Sequence, residues 1–486
     1  MLLKRIFNDK LAQASYLVAC QHEKVTLVVD PNRDTDQYID AATAEGVRIT
    51  DVTETHIHAD FVSGARDLAD RTGARLRLSN AGGPGWKYAF AGAANADMLT
   101  EGSHFMVGDV RIDVVHTPGH TPEHLTFLVT DTAVATEPMG AITGDFIFVG
   151  DVGRPDLLER AAGITGTKEP AARQLFQSLQ RFKGRPDYLQ IWPGHGAGSA
   201  CGKALGAMPQ STLGYERLFN WGLAETDENE FVRRVLTGQP EPPAYFALMK
   251  AMNRDGPPPR KSTSPRDIPA SELAARLRQG ATVVDTRPAA DFATAHAEGT
   301  INIPSNKSFL TWAGALLPYD RPIYLIALRG GNAGNAIADD LSLIGLDNIQ
   351  GVCSVESIAE IGREHVAVAS IPQMDIDTLA DRATRNGALI VDVRAPDEWD
   401  EGHIPGALNL PLVSLQSRLT ELPRGREIVV HCQGSGRAAI AASIMQKNGQ
   451  IVFSVPSGYD AWKRSGHPIE RGGGASSPTS TSRLCT

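Results

Sequence analysis

An internal repeat constrains this chain more than any other feature. Residues 283–304 read VVDTRPAADFATAHAEGTINIP, and residues 390–411 read IVDVRAPDEWDEGHIPGALNLP. At a constant offset of 107 residues Asp285 meets Asp392, Arg287 meets Arg394, Phe292 meets Trp399, His296 meets His403, Gly299 meets Gly406 and Pro304 meets Pro411. A period this long marks duplication of a whole domain, because stacked solenoid repeats run to only about 20–50 residues. Each copy opens on a helix pattern (SELAARLRQG, IDTLADRATRNG). It then passes through a buried strand and a Gly/Pro turn region to a second apolar strand (PIYLIAL, EIVVHC) that runs into a helix. Strands alternating with helices build a parallel sheet covered on both faces.

The repeat organises the rest of the 486 residues, a length that suggests about three domains. Residues 1–252 form a first domain, whose segment 215–252 has helical spacing and is expected to close it as a cap. Residues 253–267, NRDGPPPRKSTSPRD, read as a linker. The two copies then occupy 268–370 and 371–471, and the low-complexity tail 472–486 is expected to be disordered, with Cys485 incidental. A net charge of −9 without a dense Lys/Arg run argues against nucleic-acid binding. No run of 18 apolar residues predicts a membrane span. The N-terminal stretch, broken by Asp9, Lys10 and Gln13, is not read as a secretory signal. A cytoplasmic protein with five reduced thiols is the expectation, and Cys20 and Cys353 read as packed residues.

Four β-like runs in the first domain each end in a loop bearing His or Asp. These are THIHAD (His56, His58, Asp60), HTPGH (His120), TGD (Asp145) and WPGHG (His195). One loop histidine is ordinary, but four such groups at strand ends converge on a metal site. Two imidazoles and a carboxylate with open positions are the ligand set of non-haem Fe(II) oxygenases, and His56, His120 and Asp145 supply it.

These motifs resemble the metallo-β-lactamase superfamily, an αββα sandwich whose motif is usually T-H-x-H-x-D-H. Here Phe61 stands in the last position. The resemblance implies that a second-metal ligand is missing, which disfavours a dinuclear hydrolase. With TGDFIFVGDVGRPD (143–156) and HGAGSACGK (195–203), the domain resembles the persulfide dioxygenases. That likeness implies one Fe(II) per chain on His56, His120 and Asp145. His58 is then expected beside the iron or orienting a neighbour, and Asp60 and His195 behind the ligands or on the substrate side. Arg154 reads equally as a structural residue or a substrate contact. Cys201 reads equally as a buried small residue or as an auxiliary sulfur handler.

In the second copy, IVVHCQGSGR delivers Cys432 from a strand into a Gly-rich loop. Gln433, Gly434, Ser435 and Gly436 form that loop, Arg437 closes it, and a helix follows. Amides and a helix N-terminus around a sulfur are expected to stabilise a thiolate or persulfide and lower the thiol pKa. This loop, VDVR…E-x-x-x-GHIPGA-x-N-x-P and SGYDAW (457–462) resemble the rhodanese domain, in which the Cys carries sulfane sulfur. Asp392, Arg394 and His403 match recurring positions and read as structural. The first copy has IALRGGNAGNA (326–336) instead, so it resembles a silent rhodanese; Arg329, Asn332 and Asn335 read first as a solvated loop and second as an anion site.

The whole order resembles fusions of persulfide dioxygenase with rhodanese: an αββα sandwich followed by two α/β rhodanese domains with parallel sheets. The resemblance implies oxidation of a low-molecular-weight thiol persulfide by O₂ to sulfite and thiol, with sulfur transfer through Cys432, thiosulfate as a product, and a role in sulfide detoxification. It also implies small-molecule partners and a homo-oligomer. Two alternatives are a zinc thioesterase or lactonase fused to a sulfur carrier, and a non-enzymatic persulfide carrier.

Overall fold

Strand Gln13–Cys20 is buried at all eight residues, which requires cover on both of its faces. Tyr16, Val18 and Cys20 point one way, into a core shared with Ile112, Phe127, Ile142 and Trp192. Leu17 and Ala19 point the other way, against Tyr38, Ala42 and Leu68. The alternation of a strand thus splits this segment between two apolar layers.

The computed structural model describes residues 1–157, 159, 166–199, 201–203, 205–239, 242–243, 245–260, 264–328, 333–384 and 388–472. Cys485, the tail from 473 onward, Arg329 and Asn332 lie outside them. The chain divides into two compact units, Met1–Ser262 with Asp339–Asp347, and Thr263–Ala338 with Asn348–Thr486.

The first unit contains two six-stranded sheets. In order, the first sheet holds Leu2–Asn8, Gln13–Cys20, Val25–Val29, Arg48–Thr53, Arg75–Ser79 and Asp97–Leu99. The second holds Ser211–Thr212, Gln190–Pro193, Gly140–Gly144, Leu125–Asp131, Val110–His116 and His104–Val107. Helices Asp36–Ala44 and Ala65–Thr72 cover the outer face of the first sheet. Lys168–Phe182 and Glu228–Leu236 cover that of the second, through Leu175, Leu179 and Phe231. This is the expected αββα sandwich. The cap includes Leu213–Phe219, Glu228–Leu236 and Phe246–Asp255. The last of these helices extends through Asn253, Arg254 and Asp255, the first residues of the segment expected as linker. Asn253 is buried and holds the backbone of the metal loop: its amide donates to the carbonyls of His58 and Phe61 and its oxygen accepts from the Ser63 amide.

The second unit repeats one parallel sheet of four strands. The orders are Ile301–Asn302, Thr282–Asp285, Ile323–Ala327, Ile349–Ser354, and Leu408–Asn409, Leu389–Asp392, Glu427–His431, Ile451–Ser454. The repeated motif forms the same brace in both copies. Arg287 clasps Asp285 and the Ala295 carbonyl; Arg394 clasps Asp392 and the Gly402 carbonyl. His296 stacks on Phe292 and His403 on Trp399, with ring centroids 3.8 and 3.6 Å apart. Bonds shared by both copies hold the fold. Strand register shows which residue of the first copy stands at the position of Cys432. Asp285 lies opposite Ile326 and Asp392 opposite His431, so the residue after each is Ala327 in one copy and Cys432 in the other.

Asp392→Ala leaves the buried Arg394 guanidinium without its carboxylate. A loss of about 3–5 kcal/mol is expected in denaturant unfolding. Arg418→Ala, which breaks a part-exposed pair with Glu421, is expected to cost under about 1 kcal/mol. Equal losses in the two variants would contradict this account of the brace.

Candidate metal centre and thiol loop

His56, His120 and Asp145 leave three different strand ends and meet in the interior of the sandwich. Their ligand atoms all lie within 4.8 Å of one another. The Oδ2 atom of Asp145 is 3.5 Å from His120 Nε2 and 4.0 Å from His56 Nε2. The opposite ring nitrogens are tied back. His120 Nδ1 donates to the Arg154 carbonyl at 3.0 Å, and His195 Nδ1 to the Ala12 carbonyl at 3.0 Å. His56 Nδ1 contacts Thr55 Oγ1, whose own proton goes to Asp30 Oδ2, so the imidazole is the donor there too. All three rings therefore present an Nε2 lone pair to the site. Burial, reinforced by neighbouring imidazoles, holds His56 well below the usual imidazole range, and burial also lowers His120. Both stay neutral, the form that ligates a cation.

Asp145 is 1% exposed, and neither carboxylate oxygen has a hydrogen-bond partner among the described residues. An ionised carboxylate so placed costs several kcal/mol unless a cation meets it. Its position is enforced from behind. The Asp145 amide donates to His124 Nε2 at 3.1 Å, and His124 Nδ1 in turn donates to Thr117. Gly144 has φ +47°, and a Cβ there would lie 2.4 Å from Thr55 Oγ1. The donor set, its neutral imidazoles and its unpartnered carboxylate fit a divalent metal.

His58 turns aside from this set. Burial pulls its pKa down, but the Asp30 carboxylate, 3.2 Å from Nε2, outweighs that and lifts it to about 9. Phe61 is fully buried with its ring 4.4 Å from that of His58. Asp60, His195 and Cys201 form a second set with ligand atoms within 4.8 Å of one another. His195 Nε2 stands 3.3 Å from Asp60 Oδ2 and 3.5 Å from Asp145 Oδ1. The two oxygens of Asp145 thus face two donor sets. Burial, then the charges of Asp145 and Asp60, pushes the Cys201 thiol well up, so it stays protonated unless a cation is present. Arg154 is fully buried, forms a bidentate pair with Asp156 at 2.8 Å, and orients His120 through its carbonyl. Asp30, Thr55 and His124 escaped the sequence reading. The available signals were an acid ending the apolar run VTLVVD and a third histidine four residues after His120.

In the second unit, strand Glu427–His431 delivers Cys432 to the start of helix Gly436–Lys447. Its thiol, 2% exposed, donates to the Gly434 carbonyl at 3.3 Å. The expected lowering of its pKa is overturned. Burial dominates and raises it, although the amides of Ala438, Gly434 and Arg437 and the Arg437 charge pull the other way. Arg437 spends part of its charge on Glu398, in a bidentate ion pair. Arg394 Nη1 donates to Gln433 Oε1 at 3.1 Å, linking the brace to the loop. SGYDAW locks the loop from below: the amides of Tyr459 and Asp460 donate to the carbonyls of Cys432 and Gln433. Gly458, at φ +58°, approaches so closely that a Cβ would sit 2.4 Å from the Gly434 carbonyl oxygen.

Residues 8–195 match the Metallo-beta-lactamase superfamily, and residues 375–465 match the Rhodanese-like domain family. The chain belongs to the metallo-β-lactamase superfamily and carries a C-terminal rhodanese domain. A solved metallo-beta-lactamase from Staphylococcus aureus subsp. aureus COL is 41% identical, with a TM-score of 0.67, over 73% of this chain and 99% of that one. A sulfurtransferase of Allochromatium vinosum is 36% identical over 101 residues, 20% of this chain and 94% of that protein. A beta-lactamase hydrolase-like protein of Xylella fastidiosa (strain 9a5c) is 27% identical over 259 residues, 46% of this chain; the match spans 53%, about half, of that protein's length.

Asp30→Ala removes the acceptor that orients both Thr55 and His58. Metal affinity is expected to fall about 10–100-fold, as for other groups that orient metal ligands, and a competition titration with a chelator checks this. Gly458→Ala is expected to displace the sulfur loop and to speed iodoacetamide labelling of Cys432, read by mass spectrometry. An unchanged labelling rate would contradict the role given to that close approach.

Proposed function

We propose that the N-terminal domain oxidises a low-molecular-weight thiol persulfide with O₂, and that Cys432 carries sulfane sulfur to or from the product. The balanced reaction is RSSH + O₂ + H₂O → RSH + H₂SO₃, with sulfite as the ionised product. The observation that carries this reading is the set His56, His120 and Asp145: two neutral imidazoles and one carboxylate without a hydrogen-bond partner among the described residues. Those residues would hold a single Fe(II), which would supply the redox chemistry that a reaction with O₂ needs. The chain's own residues present the ligands in one tautomer, exclude water from a buried carboxylate, and keep protons off His56 and His120. The rhodanese domain supports a sulfur substrate, since its thiol loop transfers sulfur of the same oxidation level. Thiosulfate forms if sulfite accepts the sulfur from Cys432.

The same reading places the protein in sulfide detoxification, in the cytoplasm, with the first rhodanese copy silent. No described helix is long and apolar enough to cross a membrane.

A second reading, a zinc-dependent thioesterase or lactonase, has its own observation. Asp60, His195 and Cys201 face the other oxygen of Asp145, as a second metal would require. The two readings differ in what they consume. Under the first, iron-loaded protein takes up one O₂ per sulfite formed from glutathione persulfide. His120→Ala is expected to lose at least about 100-fold of that rate, while Cys432→Ser retains O₂ uptake and loses sulfur transfer. Full O₂ uptake in His120→Ala, or ester hydrolysis by a two-zinc protein that takes up no O₂, would reject the dioxygenase.

A further inference from the structure

The silent copy has no sulfur in its loop, yet it is docked against the helix that follows Cys432. The Asn302 amide donates to Ser443 Oγ at 3.0 Å, and His296 Nε2 meets Gln446 Oε1 at 2.8 Å. Ser443 and Gln446 both lie on helix Gly436–Lys447. Gln416 of the second copy reaches back to the Leu316 carbonyl at 3.0 Å. These bonds fix one part of the silent copy, the turn from Pro304 into helix Phe309–Leu316, over the mouth of the sulfur loop. Phe309 and Leu310 anchor that helix in the core, so the wall it forms is rigid.

Between the two copies lies a cavity of about 350 Å³. The silent copy lines it with Asn306, Ser308 and Trp312; the second copy lines it with Cys432, Ser435 and Arg437. The volume lies in the range of small-molecule sites, about 300–1,000 Å³. It is larger than a sulfur or sulfite group alone requires. Its described lining holds no carboxylate, and Arg437, although paired with Glu398, is the charged group that lines it, so an anionic occupant meets a guanidinium and no like charge on the walls. The far wall offers an indole, a carboxamide and a hydroxyl, which suit an organic body bearing amide groups.

We infer that the silent copy is half of the sulfur-transfer pocket and binds the organic body of the small thiol that exchanges sulfur with Cys432. The inference rests on Cys432 being the sulfur carrier, as proposed above. In the step it serves, Cys432 Sγ forms a bond to the terminal sulfur of a persulfide anion, RSS⁻. The S–S bond of the substrate breaks, and RSH leaves with the proton released by Cys432. Cys432 is left as a persulfide anion, and no external oxidant or reductant is consumed. Trp312 and Asn306 then determine specificity, because they contact the part of the thiol that differs between carriers and touch no reacting atom.

The test compares donors in the full chain. Sulfur transfer to cyanide is measured from glutathione persulfide and from thiosulfate, which has no organic body. In Trp312→Ala and Asn306→Ala the ratio of kcat/KM for glutathione persulfide to that for thiosulfate is expected to fall about fivefold or more, mainly through KM. As a measurement that needs no turnover, S-methylglutathione is expected to slow iodoacetamide labelling of Cys432 in the wild type and not in Trp312→Ala. An unchanged ratio in both variants, or an equal loss toward both donors, overturns the inference. Sulfur transfer that persists in Cys432→Ser overturns the carrier reading itself, and the inference falls with it.

Discussion

The buried carboxylate of Asp145 is the constraint on which the first unit turns. A charge at 1% exposure with no hydrogen bond on either oxygen among the described residues is a cost that folding alone does not recover. Everything around it holds the cost in place. His124 accepts the Asp145 amide, Gly144 takes a backbone conformation that leaves no room for a side chain, and Thr55 packs against that glycine while anchoring His56. Strain and desolvation concentrated on one group are the usual mark of a site completed by a ligand. The neutral imidazoles beside it identify that ligand as a cation.

The second unit solves a different problem with one fold used twice. The Asp–Arg brace and the stacked His–aromatic pair recur in both copies and belong to the framework. The copies differ where the second apolar strand runs into its helix, with Cys432 in one and Ala327 in the other.

Much of this was legible in the residues. The strand-end loops carrying His56, His120, Asp145 and His195 and the duplicated sheets are local patterns that survive into three dimensions. What escaped depends on depth and on long-range partners. Asp30 and His124 act by fixing tautomers and amides, so their sequence neighbours carry little signal. The thiol of Cys432 sits in the expected loop, but how deeply the loop is buried decides the sign of its pKa shift, and burial wins. Phe61 in place of a histidine argued for a single metal, yet Cys201, in an irregular loop six residues beyond His195, joins Asp60 and His195 from another direction. The constant offset of 107 also holds only over the motif. Beyond it the second copy is shorter, and strand register is needed to align Cys432 with Ala327.

Ferrous binding to the whole chain, measured by anaerobic equilibrium dialysis, tests the role of Asp145 most directly. Wild-type protein and Asp60→Asn are expected to bind one iron at the site of His56 and His120, while Asp145→Asn, folded to the same degree by circular dichroism, is expected to bind none at the same free iron concentration. Unchanged iron stoichiometry and affinity in Asp145→Asn would contradict the account, because the unpartnered carboxylate would then have no cation to explain it.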